Sequence, residues 1–293
     1  MAGQLKEVRN RIKSVQSTQQ ITKAMKMVSA AKLRKAQDGI TQMRPYDKKL
    51  QNILSNILTN TDGNLNSNLT TERPIENVLV VIITSDKGLC GAYNANLIKI
   101  AKNTIINTYA SQLKKGKVTV WAVGKKGYEA MLKLNVNVID TYKDTFTKLN
   151  FEAVQACAVA ATEAFANKTF DVVELVYSEF KNAASQQFKL ERFLPLVNTD
   201  KIVGAKKADF IFDPNKDELI AALLPKILNT QLYKAILDAN ASEHGARMTA
   251  MDKASENANE LLKSLKISYN RARQAAITTE LTEIVSGAAA LAG

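Results

Sequence analysis

Few residues in this chain have the types and spacing to do chemistry. Gly88-Leu89-Cys90-Gly91 follows a short apolar run and opens a helical pattern, a setting in which backbone N–H groups can cradle a phosphate. The spacing is not G-x-G-x-x-G, and no Gly-Lys-Ser/Thr ending makes it a P-loop. A plain strand-to-helix turn therefore stands beside nucleotide binding as its reading. Cys90 either faces a helix N-terminus, which would lower its thiol pKa, or simply packs. Asp86 and Lys87 precede the turn, and Lys87 is a candidate contact for an acidic partner. His244 is the only histidine. That excludes a His-rich metal site and hangs any Ser-His-Asp or Cys-His mechanism on one side chain. Cys90 and Cys157 form no C-x-x-C pair and are too few for a disulfide scaffold, so a reducing compartment is expected. Ordinary hydrolase chemistry, a bound metal and a resident cofactor are all unexpected.

Charge is the more prominent feature. The formal net charge is +12 over 293 residues, and the first fifty residues contribute +9 of it, with twelve Lys and Arg against Glu7, Asp38 and Asp47. An anionic partner is expected: nucleic acid, an anionic membrane or an acidic protein surface. Tyr46 is the only aromatic residue in the first fifty, so this stretch has no stacking platform for bases. Residues 214–293 are balanced, with nine positives and nine negatives.

These groups must be positioned by three regions of different composition. Residues 1–58 are rich in helix formers, with Leu5, Val8, Ile12 and Val15 at 3-4-3 spacing. The strict heptad then lands on Gln19 and Thr22, and a shifted seam is read as resuming at Ile21, Met25 and Val28. About fifty-five helical residues would extend roughly 80 Å, which requires a partner along the length. Residues 59–76 have linker composition, rich in Asn, Thr and Gly and including Pro74. Residues 77–212 alternate β-branched runs (78–84, 118–123, 136–140, 172–177) with helical stretches (92–110, 126–133, 151–166), which argues for an α/β domain with a mostly parallel sheet. Residues 188–212 are read as strand or loop closing the sheet edge.

Residues 213–293 read as a C-terminal helix. Its stripe starts at Leu219, Leu223, Ile227 and Leu232 and continues through Met248, Met251, Ala258, Leu261, Leu265, Leu281, Ile284, Val285 and Leu291. Pro225 is either a kink or the true start. Small residues along this helix suggest that it pairs with the N-terminal one. The plan is a long antiparallel coiled coil of terminal helices with an inserted α/β, Rossmann-like domain. The longest strongly apolar run, residues 78–83, is far short of the roughly 20 residues of a membrane span.

Three stretches carry a family resemblance: RIKSVQSTQQITKAMKMV at 11–28, TSDKGLCG at 84–91, and ARMTAM at 246–251 with YNRARQAAITTELTEIVSGA at 269–288. Together they resemble the gamma subunit of F-type rotary ATP synthases over the whole chain. The resemblance implies a central shaft without catalytic residues. An ion-driven membrane c-ring turns it inside three catalytic (beta) and three noncatalytic (alpha) nucleotide-binding subunits, with an epsilon subunit, one copy per complex and no nucleic acid. By that resemblance, Arg273, Gln274 and Thr278 match positions reaching a loop of the catalytic subunits. Lys23, Met25 and Arg247 match the place that faces their acidic lever segment, and Lys87 lies in the matched turn near the same region. The resemblance also implies a chain without a removable leader. Because Cys90 and Cys157 do not match the cysteine-bearing insert of plastid relatives, thiol control is not expected. A bacterial subunit on the cytoplasmic face of the inner membrane follows, with a mature mitochondrial form left open.

Overall fold

The structure, a computed structural model, describes residues 2–59, 68–183, 185–196 and 216–292. The elements in chain order are α1 (Ala2–Thr59), β1 (Val78–Ile83), α2 (Tyr93–Asn103), α3 (Ala110–Lys114), β2 (Val118–Val123), α4 (Lys125–Met131), β3 (Asn137–Ile139), α5 (Phe151–Ala166), β4 (Val172–Phe180), β5 (Gln186–Leu194) and α6 (Lys216–Ala292). The chain divides into two compact units, Met1–Ser29 with Met248–Gly293, and Ala30–Arg247.

In the second unit the described strands form one sheet in the order β3-β2-β1-β4-β5. β1 to β4 are parallel, and β5 returns antiparallel beside β4 at the edge. The β1 sequence Val-Leu-Val-Val-Ile-Ile is buried on both faces because it lies between β2 and β4 with helices on either side. Val78, Val80 and Ile82 join the core under α2, with Leu97, Ala101 and Ile105. Leu79, Val81 and Ile83 join the opposite core with Val154, Ala158 and Phe165 of α5 and Leu224, Leu228, Leu232 and Ile236 of α6. The edge assigned to residues 188–212 is β5 up to Leu194; residues 197–212 lie outside the described residues. Pro225 lies inside α6, so it does not mark the start of that helix.

In the first unit α1 and α6 run antiparallel. Arg9 donates to the Tyr269 hydroxyl at 2.8 Å, the Thr22 and Ser255 hydroxyls lie 2.7 Å apart, and Lys26 pairs with Asp252 at 2.5 Å. The heptad that begins at Leu5 continues without a shift, so the sequence reading of a displaced seam is corrected here. Thr22 and Ser29 are buried, whereas Ile21, Met27 and Val28 are 59%, 71% and 56% exposed. Thr22 and Ser255 are tolerated in the seam because each hydroxyl finds a partner on the other helix or on its own backbone. The stripe on α6 needs the same correction. Its seam runs through Met251, Ser255, Ala258 and Leu262, while Leu261, Leu281, Ile284, Val285 and Leu291 are exposed. The three cross-helix pairs set an offset at which the start of α1 lies beside α6 near residue 276. Beyond that point α6 has no α1 residue to cover it.

One close approach in the second unit ties β1 to β2. Thr84 N–H donates to the Val123 carbonyl at 2.8 Å, and Gly127 N–H donates to the Thr84 hydroxyl at 2.7 Å. Between them Gly124 has φ +101°, and a methyl group on it would lie 2.2 Å from the Thr84 carbonyl oxygen. Gly124→Ala is expected to cost roughly 3–5 kcal/mol, through a left-handed conformation and a backbone clash together. Urea denaturation of the full chain checks this, and a midpoint unchanged from the parent would refute it.

Candidate functional site

In a sheet of this order, chain connections leave β1 and β4 in opposite directions, and the crevice beyond their C-terminal ends is where such folds place ligands. Here the crevice meets the Ser85–Gly91 turn on one side and α6 on the other. Ser85 donates its hydroxyl to the Lys87 carbonyl at 2.7 Å, and Asn94 accepts from Ser85 N–H at 3.1 Å and donates to Cys90 Sγ at 3.2 Å. From α6, Ser242 donates to the Ser178 carbonyl at 3.2 Å at the end of β4. Gly245 comes so near the Ala183 backbone that a Cβ would lie 3.0 Å from its carbonyl oxygen. Arg247 Nη2 donates to the carbonyls of Lys87 at 2.8 Å and Gly88 at 3.1 Å, while its Nη1 pairs with Glu243. The ligand position of the fold is thus filled by the chain's own helix. The turn offers Lys87 and Gly88 carbonyl oxygens to a guanidinium, the wrong polarity for a phosphate, and the phosphate-cradle reading gives way to a strand-to-helix turn.

Arg247 and Glu243 are both buried, at 8% and 7% exposure. Burial pushes the Glu243 carboxyl up from its ordinary value, and Arg247 opposes that shift. His244, beside them, is lowered to about 4 by burial first and then by Arg247 and Lys32, and its Nδ1 has no hydrogen-bond partner among the described residues. A half-buried imidazole that is neutral at ordinary pH and whose Nδ1 meets no partner among the described residues is a packed residue. Two turns back on α6, Asp238 is raised to about 6 by burial, against the nearby cations Arg44 and Lys234. Cys90 and Cys157 are buried in cores on opposite faces of the sheet, and the Cys157 thiol is pushed up to about 12 by burial.

The sequence-expected contact residues fall in different places. Lys87 and Arg247 are brought together, but only Lys87 is exposed; Arg247 is committed internally. Lys23 is exposed and Met25 half-buried on α1. Arg273, Gln274 and Thr278 are exposed on α6, with Gln274 and Thr278 one turn apart on the same face. Leu89 and Glu243 escaped the sequence reading. Leu89 has φ +64° and is 67% exposed, which no sequence pattern announces. Glu243 carried a usable signal in its i, i+4 spacing to Arg247.

A family profile described as ATP synthase matches residues 4–291. The ATP synthase gamma chain of Flavobacterium johnsoniae is 52% identical over 289 residues, 99% of either chain, and that of Cytophaga hutchinsonii 49% identical over 290 residues, 98% of either. The chain belongs to the ATP synthase gamma family. Among solved structures, the central stalk and c-ring of Tetrahymena thermophila mitochondrial ATP synthase contains a chain 26% identical to this one. It aligns with a TM-score of 0.57 over 80% of this chain and 99% of that one. A rotor chain of the Euglena gracilis enzyme, at 22% identity, shares the fold with a TM-score of 0.63 over 94% of this chain and 100% of that chain. As a gamma chain, the protein is a non-catalytic subunit of the ATP synthase complex, the central stalk that rotates within its head. No described helix is long and apolar enough to cross a membrane.

The buried groups of this gamma chain make a pH prediction. Asp238 has a folded-state value of about 6 against an ordinary 3.8, so its contribution is present below pH 3.8 and is lost as pH rises through 6. His244 has a folded-state value of about 4 against 6.5, so it opposes folding at low pH and ceases to do so as pH rises toward 6.5. Each integrates to about 3 kcal/mol, with opposite sign. Relative to the parent, the unfolding free energy of Asp238→Asn should climb by up to about 3 kcal/mol from acid to neutral pH, and that of His244→Gln should fall by a similar amount. Parallel stability curves in urea melts across this range would refute both.

Proposed function

We propose that this chain couples rotation to conformational cycling through three contact regions. The end of α6 sits in the head, the Lys23–Met25 stretch of α1 and the Lys87 turn face catalytic (beta) subunits, and the remaining partners are the alpha and epsilon subunits and the membrane c-ring. The observation that carries this reading is the bare end of α6. Past residue 276 it displays Ile277, Leu281, Ile284, Val285 and Leu291, the last 92% exposed, with no partner on α1. Apolar surface of that kind calls for a cover from another chain. The small residues Gly287, Ala288, Ala289 and Ala290 offer few knobs to obstruct turning inside a sleeve.

An asymmetric shaft performs work on its surroundings only through differential contact energy. To switch a surrounding subunit from about 1:99 to 99:1 in favour of one conformation, it must interact with the two states differently by roughly 5.5 kcal/mol. Arg273 supplies a planar five-donor fork and Gln274 an amide, a set suited to carboxylates and backbone carbonyls of a catalytic-subunit loop. The exposed cations of α1 favour an acidic partner surface. We place the assembled protein peripherally at the cytoplasmic face of a bacterial inner membrane, one copy per complex. A basic arm on α1 that binds nucleic acid instead would show steeply salt-dependent retention of DNA or RNA.

The chain should assemble with the alpha and beta subunits as a single copy, and native mass spectrometry after co-expression reads this directly. In that assembly Arg273→Ala should lower ATP hydrolysis by about tenfold, as expected for a charge-assisted hydrogen bond lost from a switching contact. Unchanged turnover with intact assembly would remove Arg273 from the contact. Trp at Ala288 and Ala289 should slow rotation if the sleeve fits closely, and unaltered speed in a single-molecule assay would refute the close fit.

A further inference from the structure

The Ser85–Gly91 turn is held more firmly than a surface connection requires. Leu89 occupies the left-handed region at φ +64°, an outlier for a bulky side chain, and points that side chain into solvent with 67% of it exposed. Among the described residues no contact rewards either feature. Yet both sides of the residue are anchored: Ser85 and Arg247 hold the Lys87 carbonyl, Arg247 also holds the Gly88 carbonyl, and Asn94 holds the sulfur of buried Cys90. What remains exposed is a cation, Lys87, and an apolar knob, Leu89, two residues apart.

We propose that Glu243 is a positioning residue for this contact turn: by orienting the Arg247 guanidinium it fixes the strained backbone that presents Lys87 and Leu89 to the catalytic subunit. The proposal rests on the reading of Lys87 as a contact and extends it to Leu89 and to the pair behind them. The chemistry follows from the guanidinium fork. Arg247 must spend one nitrogen on a carboxylate for the other to lie square to two carbonyls, and with the carboxylate gone a buried cation has no reason to keep that orientation. Asp86 on the turn, Lys32 on α1 and His244 on α6 also face Glu243 or its partner, but none of them is hydrogen-bonded to the guanidinium. A partner surface that accepts Lys87 and Leu89 together is acidic beside an apolar socket.

The test is a mutant cycle in the assembled complex together with amide exchange on the full chain. Glu243→Ala should lower ATP turnover about tenfold, Arg247→Lys similarly, and Glu243→Gln much less, because its amide oxygen still accepts from Arg247. In a Lys87→Ala/Leu89→Ala background, Glu243→Ala should change turnover by no more than about twofold, since the contact it serves is already gone. In the free chain, Glu243→Ala should speed exchange at residues 86–91 about tenfold and leave β1 and β4 as they were. Losses that multiply in the cycle, or exchange raised across β1 and β4, would make Glu243 a stability residue and overturn the proposal. If Lys87→Ala/Leu89→Ala slows turnover while Glu243→Ala does not, the proposal alone fails. If the turn substitutions leave an intact complex at full speed, the contact reading fails and the proposal with it.

Discussion

A helix cannot bury a face against itself, and α6 needs three different solutions along its 77 residues. From Leu224 to Arg247 it packs on the sheet, and nearly every turn there contributes buried side chains. From Met251 to about residue 276 it is covered by α1 along one narrow seam. Past that point no described residue covers its apolar side chains. The same secondary structure therefore passes from core element to coiled-coil partner to bare rod, and the polar and small residues change in step.

The Glu243–Arg247 pair stands out within the sheet-packed stretch. Burying two charges costs several kcal/mol per ion before any attraction is counted, and such a pair rarely improves on apolar packing. Here the guanidinium has a second task in capping two carbonyls of the turn after β1, and no apolar side chain could do that. The α6 helix thereby occupies the position where a nucleotide-binding sheet would receive its ligand.

The exposed apolar residues follow the same logic. Ile21, Met27 and Val28 point away from the seam because the seam keeps its heptad through Thr22 and Ser29. Leu89 is held out by the backbone beneath it, and Ile284, Val285 and Leu291 are exposed beyond the stretch of α6 that the described part of α1 pairs with. Each is apolar surface left outside while polar groups are taken in, an arrangement that suits a larger assembly. ATP synthase supplies that assembly.

The alternation of β-branched runs and helical stretches declared the sheet domain, because burial on both faces demands continuous apolar strands such as residues 78–83. The terminal motifs declared the family, and the length of the two helix patterns declared a coil. What composition and periodicity could not convey was which of two plausible seams α1 would use. Ile21, Met25 and Val28 look like a core by hydropathy, and only the partner residues Ser255 and Asp252 make Thr22 and Lys26 the better inward positions. Leu89 was illegible for a related reason: the two carbonyls just before its left-handed backbone are hydrogen-bonded by an arginine about 160 residues away in the chain. Local pattern sets what each segment is, because that depends on neighbours within a turn or two. Which face it buries depends on partners distant in sequence, and only the tertiary structure brings those together.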